Sequence, residues 1–273
     1  MIIKEKAFRN KQVHYCPGCG HTVVHRLLCS VIDELGVREN IVAIAPVGCA
    51  VIAYDYWNFD VTEAAHGRCP AVATAIKRII PDKLVFTYQG DGDLGAIGTA
   101  EIIHAANRGD NISVIFVNNG VYGMTGGQLA PTTMIGQKTA TTLSGRSEVR
   151  DGFPLKISEM LAQLPGVTYL ERVSIHNKKN VDIASNAIRK AFENQLSGAG
   201  FSMVEVVTCC PTYGAKSVKE AYQALEEKVL KYYPLGVLKD EGDKRGNSMR
   251  GVRWPGDNVY GQTAGVFGNE HGV

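Results

Sequence analysis

The stretch Gly90-Asp91-Gly92-Asp93, followed by the pair Asn118-Asn119, constrains this chain more than any other. Before it, Lys83 to Tyr88 is a short apolar and β-branched run, the pattern of a strand. After it, Ile97 to Ala106 carries helical spacing, and Ile112 to Val117 is a continuous apolar run that suits a strand buried on both faces. The Asp therefore sits at the carboxyl end of one strand and the Asn, one βαβ unit later, at the carboxyl end of the next. Right-handed crossovers bring those ends together, and that edge is where open α/β sheets bind ligands.

An Asp and an Asn so placed suit a hard divalent cation carrying phosphate. Mg2+ takes oxygens in near-octahedral array, typically one or two from side chains and the rest from phosphate and water. Asp91 supplies charge, Asn119 a neutral carbonyl, and the main-chain carbonyl of Val121 a third protein oxygen. Gly90 and Gly92 let the backbone approach phosphates closely. The Gly-Asp-Gly, with the second Asn of the pair 28 residues beyond its Asp, resembles the thiamine diphosphate motif. A βαβ unit with a plain turn is the competing reading, and the rest of the chain weighs against it.

With 273 residues, 45% apolar and 21% charged, the chain has the composition of a globular protein and enough length for a sizeable core. A net charge of +2 spread along the chain points neither to nucleic acid nor to an acidic membrane surface. Residues 1–9 contain no apolar signal-peptide core, and the longest uncharged run, Ile41 to Tyr54, is broken by Pro46 and Gly48 and too short to span a bilayer. The expectation is a soluble, cytoplasmic protein.

Strand and helix signals alternate along the chain. Helices are expected at Thr22 to Leu35, Ala71 to Ile80, Lys156 to Leu164, Val181 to Leu196 and Val218 to Tyr233. Further strands are expected at Ile41 to Ala45, Thr168 to Ile175 and Phe201 to Thr208. This order predicts an α/β fold, a mostly parallel sheet with helices on both faces. Residues 120–152 form a long, glycine-rich, polar stretch, which marks a functional loop. From Gly242 onward the chain loses hydrophobic periodicity and reads as an arm that orders on a partner. The expected division is therefore a domain over 1–238 and an extension over 239–273.

Seven cysteines, at 16, 19, 29, 49, 69, 209 and 210, favour metal ligation over a disulfide framework in a cytosolic chain. Cys16-Pro17-Gly18-Cys19 has the spacing used for zinc, iron–sulfur clusters and redox dithiols. Cys49 and Cys210 both follow expected strands, at the same sheet edge as Asp91 and Asn119. Four thiolates there would lie beside a bound diphosphate cofactor, where a one-electron acceptor has a use and a structural zinc has none. The residues alone leave zinc and a cluster both open. Cys29 falls on the apolar side of a helix and reads as core; Cys69 has no assigned role. His21, His25 and His104 read as structural histidines, Tyr122 as packing, and Arg68 as either a phosphate ligand or a helix-terminal surface residue.

Taken in order, His14-Tyr15-Cys-Pro-Gly-Cys-Gly-His21, Pro46-Val-Gly-Cys49, Ala65-His-Gly-Arg68, Gly90-Asp-Gly-Asp93, the run Val117 to Gln128, and Cys210-Pro-Thr212 resemble the β subunit of the multi-subunit 2-oxoacid:ferredoxin oxidoreductases over about residues 10–238. The resemblance implies a thiamine diphosphate-binding domain with Mg2+ and one [4Fe–4S] cluster. Carried over by motif, Asp91, Asn119 and the Val121 carbonyl hold Mg2+. Gly90, Gly92, Asp93, Gly123 and Met124 line the diphosphate, and Val47, Gly48, Cys49, Ala50 and His66 lie against the cofactor. Cys16, Cys19, Cys49 and Cys210 hold the cluster; Cys210 is preferred to its neighbour Cys209 because it carries the Cys-Pro-Thr context.

The implied reaction is oxidative decarboxylation of a 2-oxoacid with coenzyme A, giving acyl-CoA and CO2, with electrons leaving through the cluster to ferredoxin. The Glu that activates the cofactor is implied to lie on a partner α subunit, so no catalytic residue of this chain is assigned beyond a candidate role for His66; γ and small ferredoxin-like δ subunits complete the implied assembly. Gly126 stands where some members acting on 2-oxoglutarate carry a Lys, which tilts the substrate towards a branched-chain 2-oxoacid such as 2-oxoisovalerate. Two competing readings are a non-redox thiamine-dependent decarboxylase or synthase subunit with a four-cysteine zinc, and a non-catalytic zinc-bearing scaffold subunit.

Overall fold

The computed structural model describes residues 6–9, 11–213, 215 and 217–242. Its centre is a sheet of β1 (Ile41–Ala45), β2 (Asp60–Glu63), β3 (Leu84–Gly90), β4 (Ser113–Asn118), β7 (Val167–Ser174), β8 (Phe201–Val207) and β9 (Gly236–Asp240), in the order β2-β1-β3-β4-β8-β7-β9. All pairs are parallel except β7 with β9, which is antiparallel. A separate two-stranded hairpin, β5 (Val121–Tyr122) and β6 (Gln128–Leu129), follows β4.

The helices are α1 (Gly20–Leu35), α2 (Cys69–Ile79), α3 (Thr99–Arg108), α4 (Glu148–Asp151), α5 (Ile157–Ala162), α6 (Lys178–Leu196) and α7 (Val218–Ala224), the last continuing through a π-helical turn (Leu225–Val229) into α8 (Leu230–Tyr232). Side-chain alternation on the strands builds one core on each face of the sheet. Phe86, Tyr88, Ile115, Val117, Val204 and Val206 meet α1 and α6 on one side. Val85, Val114, Phe116, Leu170 and Met203 meet α2, α3 and α5 on the other. The expected mostly parallel, two-sided α/β sheet is thus observed.

Element ends depart from the periodicity where a cap overrides it. α6 starts at Lys178 rather than Val181 because Asn177 accepts a hydrogen bond from the Asn180 backbone N–H at 3.0 Å. A π-helical turn at Asp93–Ile97 precedes α3, which delays the regular helix to Thr99. β2 escapes the apolar pattern because it is an edge strand carrying Asp60 and Glu63. β9 spans the boundary drawn between 238 and 239, so the folded unit continues to at least Asp240. The arm expected beyond Gly242 lies outside the described residues.

The glycine-rich stretch after β4 is folded around one side chain. Arg146, 6% exposed, donates to the carbonyls of Ala130, Pro131, Thr133, Asp151, Gly152 and Phe153. These bonds stand in for the regular ladder that so many glycines discourage. Among the described residues, no helix is long and apolar enough to cross a membrane.

Candidate active site

The carboxyl ends of β1, β3, β4 and β8, neighbours in the sheet, each release one of the motifs: Cys49 after β1, Asp91 after β3, Asn119 after β4 and Cys210 after β8. The first three and the hairpin wall a cavity of about 220 Å3. Val47, Gly48, Cys49, Ala50, His66, Gly90, Gly92, Asp93, Gly123 and Met124 all line it, as do Asp91, Asn119 and Val121. Gly48 at φ +122° and Gly120 at φ +72° make the turns that bring their loops back over it. Tyr122 packs on Gly92, where a Cβ would come within 2.7 Å of its ring.

Asp91 is 4% exposed and, among the described residues, pairs with no cationic side chain. Its Oδ1 accepts from Gly92 N–H at 3.0 Å, and its Oδ2 from Gly120 N–H and Thr132 Oγ1, both at 2.9 Å. Burial nevertheless pushes its carboxyl up to about 6, the three hydrogen bonds opposing the shift. A buried carboxylate in this state gains from a divalent cation. Asn119 Oδ1 accepts from Val121 N–H at 3.2 Å, which fixes the amide at the cavity wall.

Asp93 lines the cavity as expected, but its carboxylate is committed elsewhere. Oδ1 accepts from His66 Nδ1 at 2.6 Å, Gly67 N–H at 2.9 Å and Val47 N–H at 3.3 Å; Oδ2 accepts from Gln89 Nε2 at 2.6 Å. Four donors fill its acceptor capacity, so its carboxylate braces the loops after β1 and β2 against the end of β3 instead of meeting a diphosphate, which it would repel. The same contact calls for the proton of His66 on Nδ1 and leaves Nε2 as the other nitrogen of a side chain on the cavity wall.

The cysteine knuckle is built by close packing. Cys19 N–H donates to Cys16 O at 3.0 Å across Gly18, whose φ is +81°. Gly20 opens α1 against the end of β8: a Cβ there would lie 2.4 Å from Thr208 Oγ1. Across the site, a Cβ on Gly123 would lie 3.3 Å from Cys49 Sγ and 3.5 Å from Cys210 Sγ, so both sulfurs border the same glycine. Burial pushes the Cys19 thiol up to about 12, and Cys49, Cys210 and Cys16 add repulsion. Burial likewise pushes Cys49 up to about 11, with Cys210 next in effect. Cys16 is exposed and Cys19, Cys49 and Cys210 are half-buried; Cys19 and Cys49, the two whose burial opposes ionisation, would gain from a cationic centre. Cys209 feels Cys210 but turns into the small apolar cluster of Val207, Leu225 and Tyr233. Among the described residues, no three His, Cys, Asp or Glu side chains form a group that could hold a single metal ion.

Residues 47–206 match the family of thiamine pyrophosphate enzymes by their C-terminal TPP-binding domain. The chain is 37% identical over 201 residues to the 2-oxoglutarate synthase subunit KorB of Methanocaldococcus jannaschii, covering 73% of this chain and 70% of that one. The chain belongs to the 2-oxoacid:ferredoxin oxidoreductase family. Within this family it is also 47% identical over 227 residues to the ketoisovalerate oxidoreductase subunit VorA of Methanothermobacter thermautotrophicus, covering 83% of this chain and 48% of that subunit. The chain thus spans about half the length of that relative. The 2-oxoglutarate:ferredoxin oxidoreductase of Magnetococcus marinus shares the fold, with a TM-score of 0.71 at 22% identity and 94% of both chains covered.

The sequence motifs left several supporting residues unseen. Thr132 reaches Asp91 from 41 positions away, and nothing in Pro131-Thr132-Thr133 marks it. Gln89 had a signal: it precedes the Gly-Asp-Gly-Asp run on a strand whose side chains alternate. His21 Nδ1 lies 2.7 Å from the Tyr88 hydroxyl and His25 Nε2 2.6 Å from that of Tyr15, and His21 also lines the cavity. Burial lowers His21 to about 4 and drives His25 well down. His104 is exposed, Cys29 is core, and Arg68 pairs with Glu101 at the start of α2. Cys69 lies beneath the site with its Sγ 3.6 Å from the Ala45 carbonyl.

Proposed function

We propose that this chain is the β-type subunit of a 2-oxoacid:ferredoxin oxidoreductase that decarboxylates a 2-oxoacid, passes the acyl group to coenzyme A, and delivers electrons to ferredoxin. The observation that carries the reading is the shared cavity: the divalent-cation pair and the cofactor-lining residues wall one space, and the sulfurs of Cys49 and Cys210 border it at Gly123. When bound, thiamine diphosphate supplies a stabilised carbanion for the keto carbon and a [4Fe–4S] cluster supplies a one-electron acceptor.

This chain's residues set the stage for both. Asp91, Asn119 and the Val121 carbonyl would hold Mg2+, the buried charge of Asp91 being the part of the site most in need of it. Gly90, Gly92, Gly123 and Met124 would flank the diphosphate, with Val47, Gly48, Ala50 and His66 against the rest of the cofactor. Asp93 holds the 47, 66 and 89 positions in register. Cys16, Cys19, Cys49 and Cys210 would hold the cluster, and Cys49 also lines the cavity. Met124, 58% exposed on the cavity wall, would meet the substrate.

The activating Glu is expected on an α subunit that completes the site, with γ and δ subunits beside it, in the cytoplasm where the thiols stay reduced. A branched-chain 2-oxoacid is the favoured substrate: Gly126 offers no cation to a second carboxylate, and the 47% identical relative is a ketoisovalerate enzyme subunit. The test is anaerobic purification with co-expressed partner subunits, iron and sulfide analysis, and dye reduction with 2-oxoisovalerate, 2-oxoglutarate and pyruvate in turn. Colourless protein with zinc in place of iron, or no reduction with any 2-oxoacid, would overturn the reading.

A further inference from the structure

A buried ion network lies behind the site, on the sheet face covered by α5. Arg172 on β7 and Glu205 on β8 are each 1% exposed. Arg172 Nε donates to Glu205 Oε2 at 2.7 Å, and its two terminal nitrogens grip Glu159 of α5 at 2.9 and 2.6 Å. Glu159 is a third exposed, but burying Arg172 and Glu205 is costly unless each is held by good hydrogen bonds. A network of this kind adds little net stability over apolar packing, which raises the question of what else it does.

Two arms lead from it to the cavity. On the first, Asn118 Nδ2 donates to Glu205 Oε1 at 2.8 Å. Asn118 ends β4 on the same face as Phe116, which pairs with Glu205 across the strands. Anchoring the Asn118 side chain on that face settles where the chain turns next, and Asn119 emerges on the cavity wall. On the second, the Arg172 guanidinium lies 5.2 Å from the centre of the Tyr233 ring and donates to the Pro234 carbonyl at 3.3 Å. The Tyr233 hydroxyl donates to Thr132 O at 3.2 Å, and Thr132 Oγ1 donates to Asp91 Oδ2 at 2.9 Å. The arms end on different cavity residues, Asn119 and Asp91, and begin on the same arginine.

We propose that Arg172 and Glu205 are positioning residues that hold Asn119 and Asp91 in the geometry a divalent cation requires. The proposal rests on the assignment of those two residues to Mg2+. It makes the end of α8, at Tyr233, part of the metal site, although Tyr233 is 114 positions beyond Asn119. Partners that orient metal ligands typically change affinity ten- to a hundredfold when removed.

The test measures half-saturation by Mg2+, read as quenching of tryptophan fluorescence at fixed thiamine diphosphate, in the full chain purified with its partner subunits. Asn118→Leu and Tyr233→Phe cut one arm each without opening the ion network, and each is expected to raise the Mg2+ requirement about tenfold. Arg172→Met removes the hub and is expected to raise it further; if that variant fails to fold, the two single-arm variants still decide. Melting is recorded with and without Mg2+, because a purely structural role would lower Tm equally in both and leave half-saturation in place. Half-saturation within twofold of the parent in both single-arm variants, while Asp91→Asn loses Mg2+ binding, overturns the proposal. If Asp91→Asn itself binds Mg2+ as the parent does, the metal assignment beneath it falls.

Discussion

Burial holds the ionised Asp91 side chain in an unfavourable state, and replacing it by Asn makes that visible in stability. The carboxyl titrates at about 6 in the folded chain against an ordinary value of 3.8, because burial outweighs its three hydrogen bonds. Each unit is worth about 1.4 kcal/mol, so the ionised side chain costs the metal-free protein about 3 kcal/mol at neutral pH. The folded state holds the proton more tightly than the unfolded state, so stability is fully present below about pH 4 and falls as pH rises through about 6. Asp91→Asn removes the charge but keeps only one good acceptor for the N–H groups of Gly92 and Gly120, a loss of roughly 1–2 kcal/mol. Metal-free Asp91→Asn should therefore melt above the parent at pH 7.5 and at or below it at pH 4. The swing between the two pH values, about 3 kcal/mol, corresponds to roughly 6–12 °C in Tm for a domain of this size. Mg2+ with thiamine diphosphate should raise the parent's Tm and leave the variant's unmoved. A variant less stable than the parent by the same margin at both pH values, or one protected by Mg2+ as well as the parent, refutes the reasoning.

Cys210→Ser should lose most of its iron and the associated visible absorbance, while Cys209→Ser should keep both, since Cys209 packs with Val207, Leu225 and Tyr233; metal analysis of anaerobic preparations distinguishes them. Gly123→Ala places a Cβ 3.3 Å from Cys49 Sγ and 3.5 Å from Cys210 Sγ, and should cut cluster occupancy severalfold with circular dichroism unchanged. Arg146→Met leaves buried carbonyls without a donor and should lower stability by about 3 kcal/mol or more, with limited proteolysis opening the chain first within 130–153.

Much of this architecture is written locally. The apolar runs at 41–45, 84–90, 113–118 and 201–207 need only their own composition to be recognised as buried strands, and alternation with helices makes the sheet parallel. A parallel sheet then sends every loop that follows a strand to one edge, so Cys49, Asp91, Asn119 and Cys210 were bound to gather there. The expected cavity-lining residues do line one cavity for that reason.

What a side chain does once it reaches that edge was not legible. Asp91 and Asp93 stand two positions apart in one motif, yet among the described residues one pairs with no cation and the other is consumed by four donors from two loops and β3. Cys209 and Cys210 are adjacent, and only the seating of α7 and Tyr233 sends one into an apolar cluster. Thr132, Arg146 and Arg172 carry no motif at all. Strand, helix and turn preferences depend on neighbours along the chain, whereas the partner of a polar group is whichever donor or acceptor the packed elements bring within about 3 Å. That is decided only when the distant segments meet.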